Sequence, residues 1–292
     1  LDELMFVKDY ENNERLRKSF NTLAVETFGI HFEEWYQAGC WSQAYVPYSF
    51  AHNGKIVANV SVNLVDLLIK GKQVKAVQLG TVMTHRDFQG RGYSRQLMEM
   101  VLKDVSMYDL VYLFANQSVL DYYPKFGFER VEETLFSLYF NQIKGNRLTF
   151  QKLDGNSTKD LQFITKLAVN RRPGSGSLTA IHTVNLNLFY CMNVFPENIY
   201  YIPHEDAIVI CQQDGNILHI FDIISPKSFS LENIICTLAD KESAYIYFHY
   251  TPEQEHLPFL KSPYQDTNVL FIKNQSGVIL PEAFKHPITS QA

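Results

Sequence analysis

Val82-Met83-Thr84-His85-Arg86-Asp87-Phe88-Gln89-Gly90-Arg91-Gly92-Tyr93-Ser94 is the stretch that decides the fold. An apolar run leads into it. Tyr93–Val105 leaves it with Leu97, Met98, Val101, Leu102 and Val105 at helical spacing, so the order is strand, loop, helix start. The first N–H groups of a helix lack intrahelical partners, and the helix dipole is positive there. Gly90 and Gly92 let the backbone turn those groups toward an anion at close range, and Arg91 adds charge. A diphosphate suits such a loop without many cationic side chains. Two glycines alone suit a plain strand-to-helix turn equally well, so the surroundings must decide.

Upstream, Leu16, Phe20, Leu23, Ala24 and Phe28 predict an amphipathic helix within residues 8–28, and a short helix or turn follows around His31–Gln37. Ala44–His52, Lys55–Leu64 and Val74–Thr84 have strand character; Asn53-Gly54 is a two-residue hairpin signal, and Lys70-Gly71-Lys72 marks another turn. Downstream, Leu110–Ala115 suits one buried strand, Asn116–Lys125 a brief helix closed at Phe126-Gly127-Phe128, and Leu135–Gln142 the last strand of this half. The expectation is an α+β, or mixed α/β, domain over residues 1–145. Residues 143–160 read as a linker and Arg171–Ser177 as a breaker loop inside the second half. Residues 146–292 repeat the order in outline: strands at Ile199–Ile202, Ala207–Gln212 and Ile217–Ile224 with Asp214-Gly215 as a hairpin turn, a helix at Leu231–Ala239, and strands at Ala244–His249 and Val269–Lys273.

The chain has 292 residues, ample for two cores. Its net charge of −5 gives no bulk electrostatic case for nucleic-acid binding. Cys40, Cys191, Cys211 and Cys236 form no C-x-x-C unit, so a metal or redox motif is not expected, and buried thiols in a reducing compartment are. The opening LDELMFVKDYENNERLRK is charged rather than basic-then-apolar, and no run of about 18 apolar residues exists, so a cytoplasmic protein without a membrane partner is expected.

With these elements in place, the sequence resembles the GCN5-related N-acetyltransferase (GNAT) family over roughly residues 8–142. The family's Q/R-x-x-G-x-G/A motif corresponds to Gln89, Gly92 and Ser94, with Ser where Gly or Ala is usual. Asn116-Gln-Ser-Val-Leu-Asp-Tyr-Tyr123-Pro-Lys-Phe-Gly127-Phe128 is similar to the family's N-x-x-A-x-x-F-Y-x-K-x-G-F pattern, with Val119 in place of Ala. The resemblance implies a central mixed sheet flanked by helices, with acetyl-CoA lying between two splayed strands as co-substrate and no metal. Backbone groups of Val82, Met83 and Thr84 would hold the pantetheine arm. Amides around Gly90, Arg91, Gly92, Tyr93 and Ser94 would hold the pyrophosphate, and Asn116 would face the cofactor. Tyr123 would be the general acid at the coenzyme A sulfur, since a phenol can protonate a departing thiolate; the alternative is that Tyr122 and Tyr123 pack the helix against the sheet, and the motif match favours Tyr123 as the acid.

Many members carry a Glu base where Gln78 stands, and Gln cannot take a proton. His85, His52, water, or the carboxylate of Ala292 entering the cleft as in some tandem members are the alternatives. The second half has Ser-Pro-Lys-Ser-Phe-Ser at 225–230, with no glycine to bring amides onto a phosphate, and resembles a degenerate repeat of the tandem form. Trp35, Trp41, Tyr45 and Tyr48 lie where the family builds its acceptor site, as wall or as core. Glu33, Glu34 and Asp121 are candidate attractors of a cationic acceptor, or ordinary solvated acids. The expected activity is acetyl transfer to a primary amine of a small molecule or peptide. The alternatives are a non-catalytic acyl-CoA-binding or regulatory module, and an aminoacyl-transferring tandem relative, against which the intact loop argues.

Overall fold

In the computed structural model, residues 4–174 and 177–292 are described; Ser175 and Gly176 of the expected breaker loop lie outside them. One seven-stranded sheet runs β1 (Leu4–Lys8), β2 (Tyr45–His52), β3 (Lys55–Leu64), β6 (Ala76–Thr84), β7 (Leu110–Asn116), β17 (Asn268–Asn274), β8 (Glu129–Val131). A second runs β10 (Gln151–Leu153), β12 (Ile199–Ile202), β13 (Ala207–Asp214), β14 (Ile217–Ile224), β15 (Tyr245–Phe248), β9 (Thr134–Tyr139), β16 (Leu260–Pro263). A small third sheet joins β11 (Leu178–Ile181) to the hairpin β4 (Asp66–Ile69) and β5 (Lys72–Val74).

The two large sheets follow one design. Every neighbouring pair is antiparallel except the fourth with the fifth, β6 with β7 and β14 with β15. Parallel neighbours need a crossover. Helix α3 (Tyr93–Asp104) supplies the first and α6 (Leu231–Leu238) the second. The sixth strand of each sheet comes from the other half. β17 enters the first sheet between β7 and β8, and β9 enters the second between β15 and β16. Strands therefore cross residue 145 in both directions. The strand expected at Leu135–Gln142 to end the first half ends at Tyr139, with Phe140–Gln142 in a 3₁₀ turn, and its Phe136–Tyr139 pair instead with Tyr245–Phe248; the strand expected at Val269–Lys273 pairs with Val111–Ala115.

The helices follow ordinary local rules. In α1 (Glu14–Phe28) the Asn13 side chain caps the Leu16 N–H at 3.2 Å and Gly29 closes the helix at φ 70°. The helix expected from residue 8 thus starts later, after an edge strand. α2 (Glu33–Gln37) lies where a short helix was expected. Asn53 and Gly54 are both left-handed (φ 51° and 74°), as a primed hairpin turn requires. The helix expected over 116–125 is two 3₁₀ turns, Gln117–Val119 and Tyr123–Phe126, the second carrying Pro124 and stopped by left-handed Gly127.

Three cores place the cleft. Leu97, Met98 and Val101 of α3 pack on Val60, Val62, Val77, Leu79, Val111 and Leu113 on one face of the first sheet. Leu231, Ile234 and Ile235 of α6 pack on the corresponding face of the second. A third core joins the halves: Phe20, Trp35 and Trp41 meet Ile164 of α4 (Thr158–Val169) and Leu188 and Cys191 of α5 (Val184–Asn193). All four cysteines are buried free thiols, and burial pushes Cys40 up to about 11 and Cys211 to about 12. Among the described residues, no helix is long and apolar enough to cross a membrane.

Candidate active site

The cleft begins where two strands part. β6 and β7 pair only from Ala76/Leu110 to Leu79/Leu113. Just beyond, Thr81 adopts φ 46° and the β3–β6 register shifts between Asn59 and Ser61. A left-handed β-branched residue costs roughly 1–3 kcal/mol and must be held in place. Asn59 Nδ2 donates to the Thr81 carbonyl at 2.9 Å, and the Tyr45 hydroxyl lies 3.1 Å from Thr81 Oγ1. The same buried network runs on through Ser61, Asn59 and Ser49 to Tyr10. The irregularity turns Val82, Met83 and Thr84 away from β7, and all three line a cavity of about 720 Å³ with Leu113, Phe114, Ala115 and Asn116 on the opposite wall.

The glycine loop stands at the mouth of this cavity. Gly90 and Gly92 have φ 74° and 80°. Gly92 is the residue before α3 and supplies no side-chain cap, so the amides of the first helical turn face outward without one. A Cβ at either glycine would meet no atom within 4 Å; conformation rather than crowding requires glycine here. Arg91 donates to the Asp87 carbonyl at 2.9 Å and lies over the Phe88 ring, while Tyr93 packs on Phe50. Gln89 Nε2 donates to the Thr84 carbonyl at 3.2 Å, tying the loop to the strand end. Ser94, the departure from the family pattern, shares a 2.7 Å hydrogen bond with the Tyr122 hydroxyl. Gln89, Ser94, Asn116 and Tyr123 all line the cavity, whereas Gly90, Arg91, Gly92 and Tyr93, between two of them in the chain, are not in its lining.

Tyr123 is buried against Tyr122, Phe128 and Phe271, and burial raises its phenol well above the ordinary value. It therefore holds its proton through the neutral range. Asn116 accepts from the Ser118 N–H at 3.1 Å and caps the following 3₁₀ turn.

Gln78 is fully buried. Its Nε2 donates to the Tyr112 hydroxyl at 3.1 Å and the Ser290 carbonyl at 2.8 Å, and its Oε1 accepts from the Ala292 N–H. Ala292 lines the cavity beside Gly80, whose absent Cβ would stand 2.8 Å from the Ala292 carbonyl carbon. Of the alternative bases, Ala292 is the one in the cavity lining; His85 lies between Glu26 and Asp87, and His52 packs on Phe88, neither in the cavity wall.

The aromatic cluster divides. Trp35 and Tyr45 line the cavity; Trp41 sits behind Tyr45 in the core with its indole N–H buried and unpartnered; Tyr48 points to Lys8 and Asp104 on the far side. Glu33 is tied to Arg17, and neither Glu34 nor Asp121 reaches the cavity. Sequence reasoning missed the wall given by the second half, namely Leu186, Phe189 and Tyr190 of α5, Asn268 of β17, and Gln291. The signal was the apolar run Leu186-Asn-Leu-Phe-Tyr190, which has no polar face because both sides are covered.

At the matching helix start in the second half, the place of a ligand is taken. The Ser230 side chain caps the Asn233 N–H at 3.2 Å, and buried Glu205 accepts from the Ser230 N–H at 2.9 Å and from Asn233 Nδ2 at 2.8 Å. A fixed carboxylate thus satisfies the positive end of α6.

Residues 19–131 match the family described as an acetyltransferase (GNAT) domain. Among solved structures, the chain is similar to a protein from Enterococcus faecalis V583 described as a probable N-acyltransferase (13% identity, 94% of this chain and 73% of that one, TM-score 0.64). It is similar to a GCN5-related N-acetyltransferase from Kribbella flavida (14% identity, 94% and 72%, TM-score 0.59) and to Eis1 from Mycobacterium abscessus (13% identity, 92% and 73%, TM-score 0.58). At this identity the likeness is one of fold. No curated protein sequence matches the chain.

Proposed function

Residues 19–131 are a GNAT acetyltransferase domain, and from that premise we propose that the first-half cleft binds acetyl-CoA and passes its acetyl group to a primary amine of a small molecule or peptide. The observation that carries this reading is the parting of β6 and β7 directly above an uncapped helix start. Acetyl-CoA supplies an activated thioester there. The chain's residues bind and orient it. The first-turn amides of α3 at Gly92–Ser94 hold the diphosphate, with Arg91 beside them. The backbone of Val82–Thr84, unpaired on the β7 side, aligns the pantetheine arm and polarises the carbonyl. Tyr123 keeps a proton on its phenol oxygen for the departing sulfur.

Gln78 is not a base. Its amide holds residues 290–292, of which Gln291 and Ala292 line the cavity, and this leaves deprotonation of the amine to the Ala292 carboxylate or to solvent. This favours, as a second reading, an acyl-CoA-binding module without transfer. A thiol-release assay with an amine panel separates the two. Amine-dependent release that falls at least tenfold in Tyr123→Phe supports transfer. Acetyl-CoA binding without release for any amine supports the module.

A further inference from the structure

Part of the cavity lining comes from outside the glycine loop and the splayed strands, and its chemistry is narrow. Phe28 and Ile30 follow from the end of α1, Phe32 and Trp35 from α2, and Leu186 and Phe189 reach over from α5. Phe189 stacks on Phe32 at 5.4 Å and 27°, and meets Trp35 nearly at right angles. Among the described residues that line the whole cavity, no side chain carries a charge, and the anionic group there is the main-chain carboxylate of Ala292 beside Gly80. Several acids on the flanking segments are engaged elsewhere, and Glu34 and Asp121 stand outside the lining. Glu33 is bound by Arg17, Asn21 and Gln37, Glu26 faces His85, and Asp266 accepts from the Thr267 N–H and the Tyr264 hydroxyl.

From this lining we infer that the acceptor is a monoamine with a flat aromatic body, and that polycationic amines are excluded. The inference rests on the proposed amine-acetylating role of the same cleft. It concerns the part of the acceptor beyond the reacting nitrogen. Aromatic walls in offset and edge-on arrangements accept a further ring at the same spacings. One ammonium can meet the Ala292 carboxylate, but each additional one would lose its water against these walls with no further carboxylate to receive it. A compact alkylammonium in the cavity still gains from the rings of Trp35 and Tyr45, which line it. Because Phe189 and Leu186 come from the second half, that half selects the acceptor although its own helix start is closed by Glu205.

The test is an equilibrium titration of the coenzyme A-loaded protein with 2-phenylethylamine and with spermidine, read by tryptophan fluorescence, with thiol release from acetyl-CoA followed in parallel. Binding of 2-phenylethylamine at least tenfold tighter than spermidine, with the preference lost in Phe189→Ala and kept in Phe189→Leu, is the expected result. Equal or tighter binding of spermidine overturns the inference, as does failure of 2-phenylethylamine to bind a protein that holds coenzyme A. The expected binding order without thiol release upholds the inference and removes the transfer reading.

Discussion

The side-chain amide of Gln78 donates a 2.8 Å hydrogen bond to the carbonyl of Ser290, joining a strand of the first half to a segment more than two hundred residues later. The same amide accepts from the Ala292 N–H, and the Tyr112 hydroxyl completes its partners. At the position where the family resemblance implies a carboxylate, the chain has a group that both donates and accepts. A carboxylate could not donate to Ser290.

Removing this clamp should cost stability. Gln78→Ala leaves the buried Ser290 carbonyl without its Gln78 partner and frees the Ala292 N–H, a loss of about 1–3 kcal/mol. Gln78→Glu keeps the acceptor and loses the donor, and should be destabilising as well. Urea unfolding of the two variants measures this. An unchanged midpoint in both would mean that the segment is held by its other contacts alone, which include Thr289 with Asp222 and Asn187.

Gly80→Ala should act on the same segment. The new methyl group would enter the space of the Ala292 backbone and push residues 290–292 off the cleft floor. Turnover is expected to fall by about tenfold or more, equivalent to 1.4 kcal/mol in the barrier, while acetyl-CoA still binds. Combining it with Gln78→Ala should add little, because both substitutions release one element. Fully additive losses in turnover would contradict a shared cause.

Acid should unfold this protein through histidines as well as carboxylates. Burial depresses His249 and His286 to about 3, with Lys285 opposing the charge on each. Both are neutral in the fold, while an unfolded histidine titrates near 6.5. The unfolded chain therefore binds more protons between these values, and stability falls as pH drops from about 6.5 toward 3. Unfolding midpoints at pH 7.5, 6 and 5 should decline, and His286→Gln should flatten the slope. A midpoint independent of pH over that range would place water at these rings.

The buried pair of Lys285 and Glu133 ties the joint between halves. Lys285 Nζ lies 3.0 Å from Glu133 Oε1, and Glu133 also accepts from the His286 N–H at 2.8 Å. Lys285→Met strands a buried carboxylate, and a loss of about 3–5 kcal/mol is expected. Replacing both residues together should cost less than the sum. Thermal or urea unfolding of the two single variants and the double variant closes the cycle.

Much of the first half was legible because its signals are local. Asn53-Gly54 specifies its own hairpin, and Gly90 and Gly92 declare a left-handed backbone before an amphipathic helix. The exchange of β9 and β17 was not legible. A strand's pattern of apolar residues reports that it is buried, not which sheet buries it, and Val269–Lys273 reads alike in either place. The α5 wall escaped for a related reason, since a helix covered on all sides has no polar stripe to mark its period. Gln78 was recognised as unable to act as a base, but its role as a clamp depends on Ser290 and Ala292, which no spacing rule connects to it.

The most direct measurement is a calorimetric titration of the full chain with acetyl-CoA. A single site per chain, weakened when Gly92→Ala strains the loop, is the expected result, because the first-half helix start is open and the second is closed by Glu205. No binding at sub-millimolar acetyl-CoA, or two sites per chain, would contradict the account.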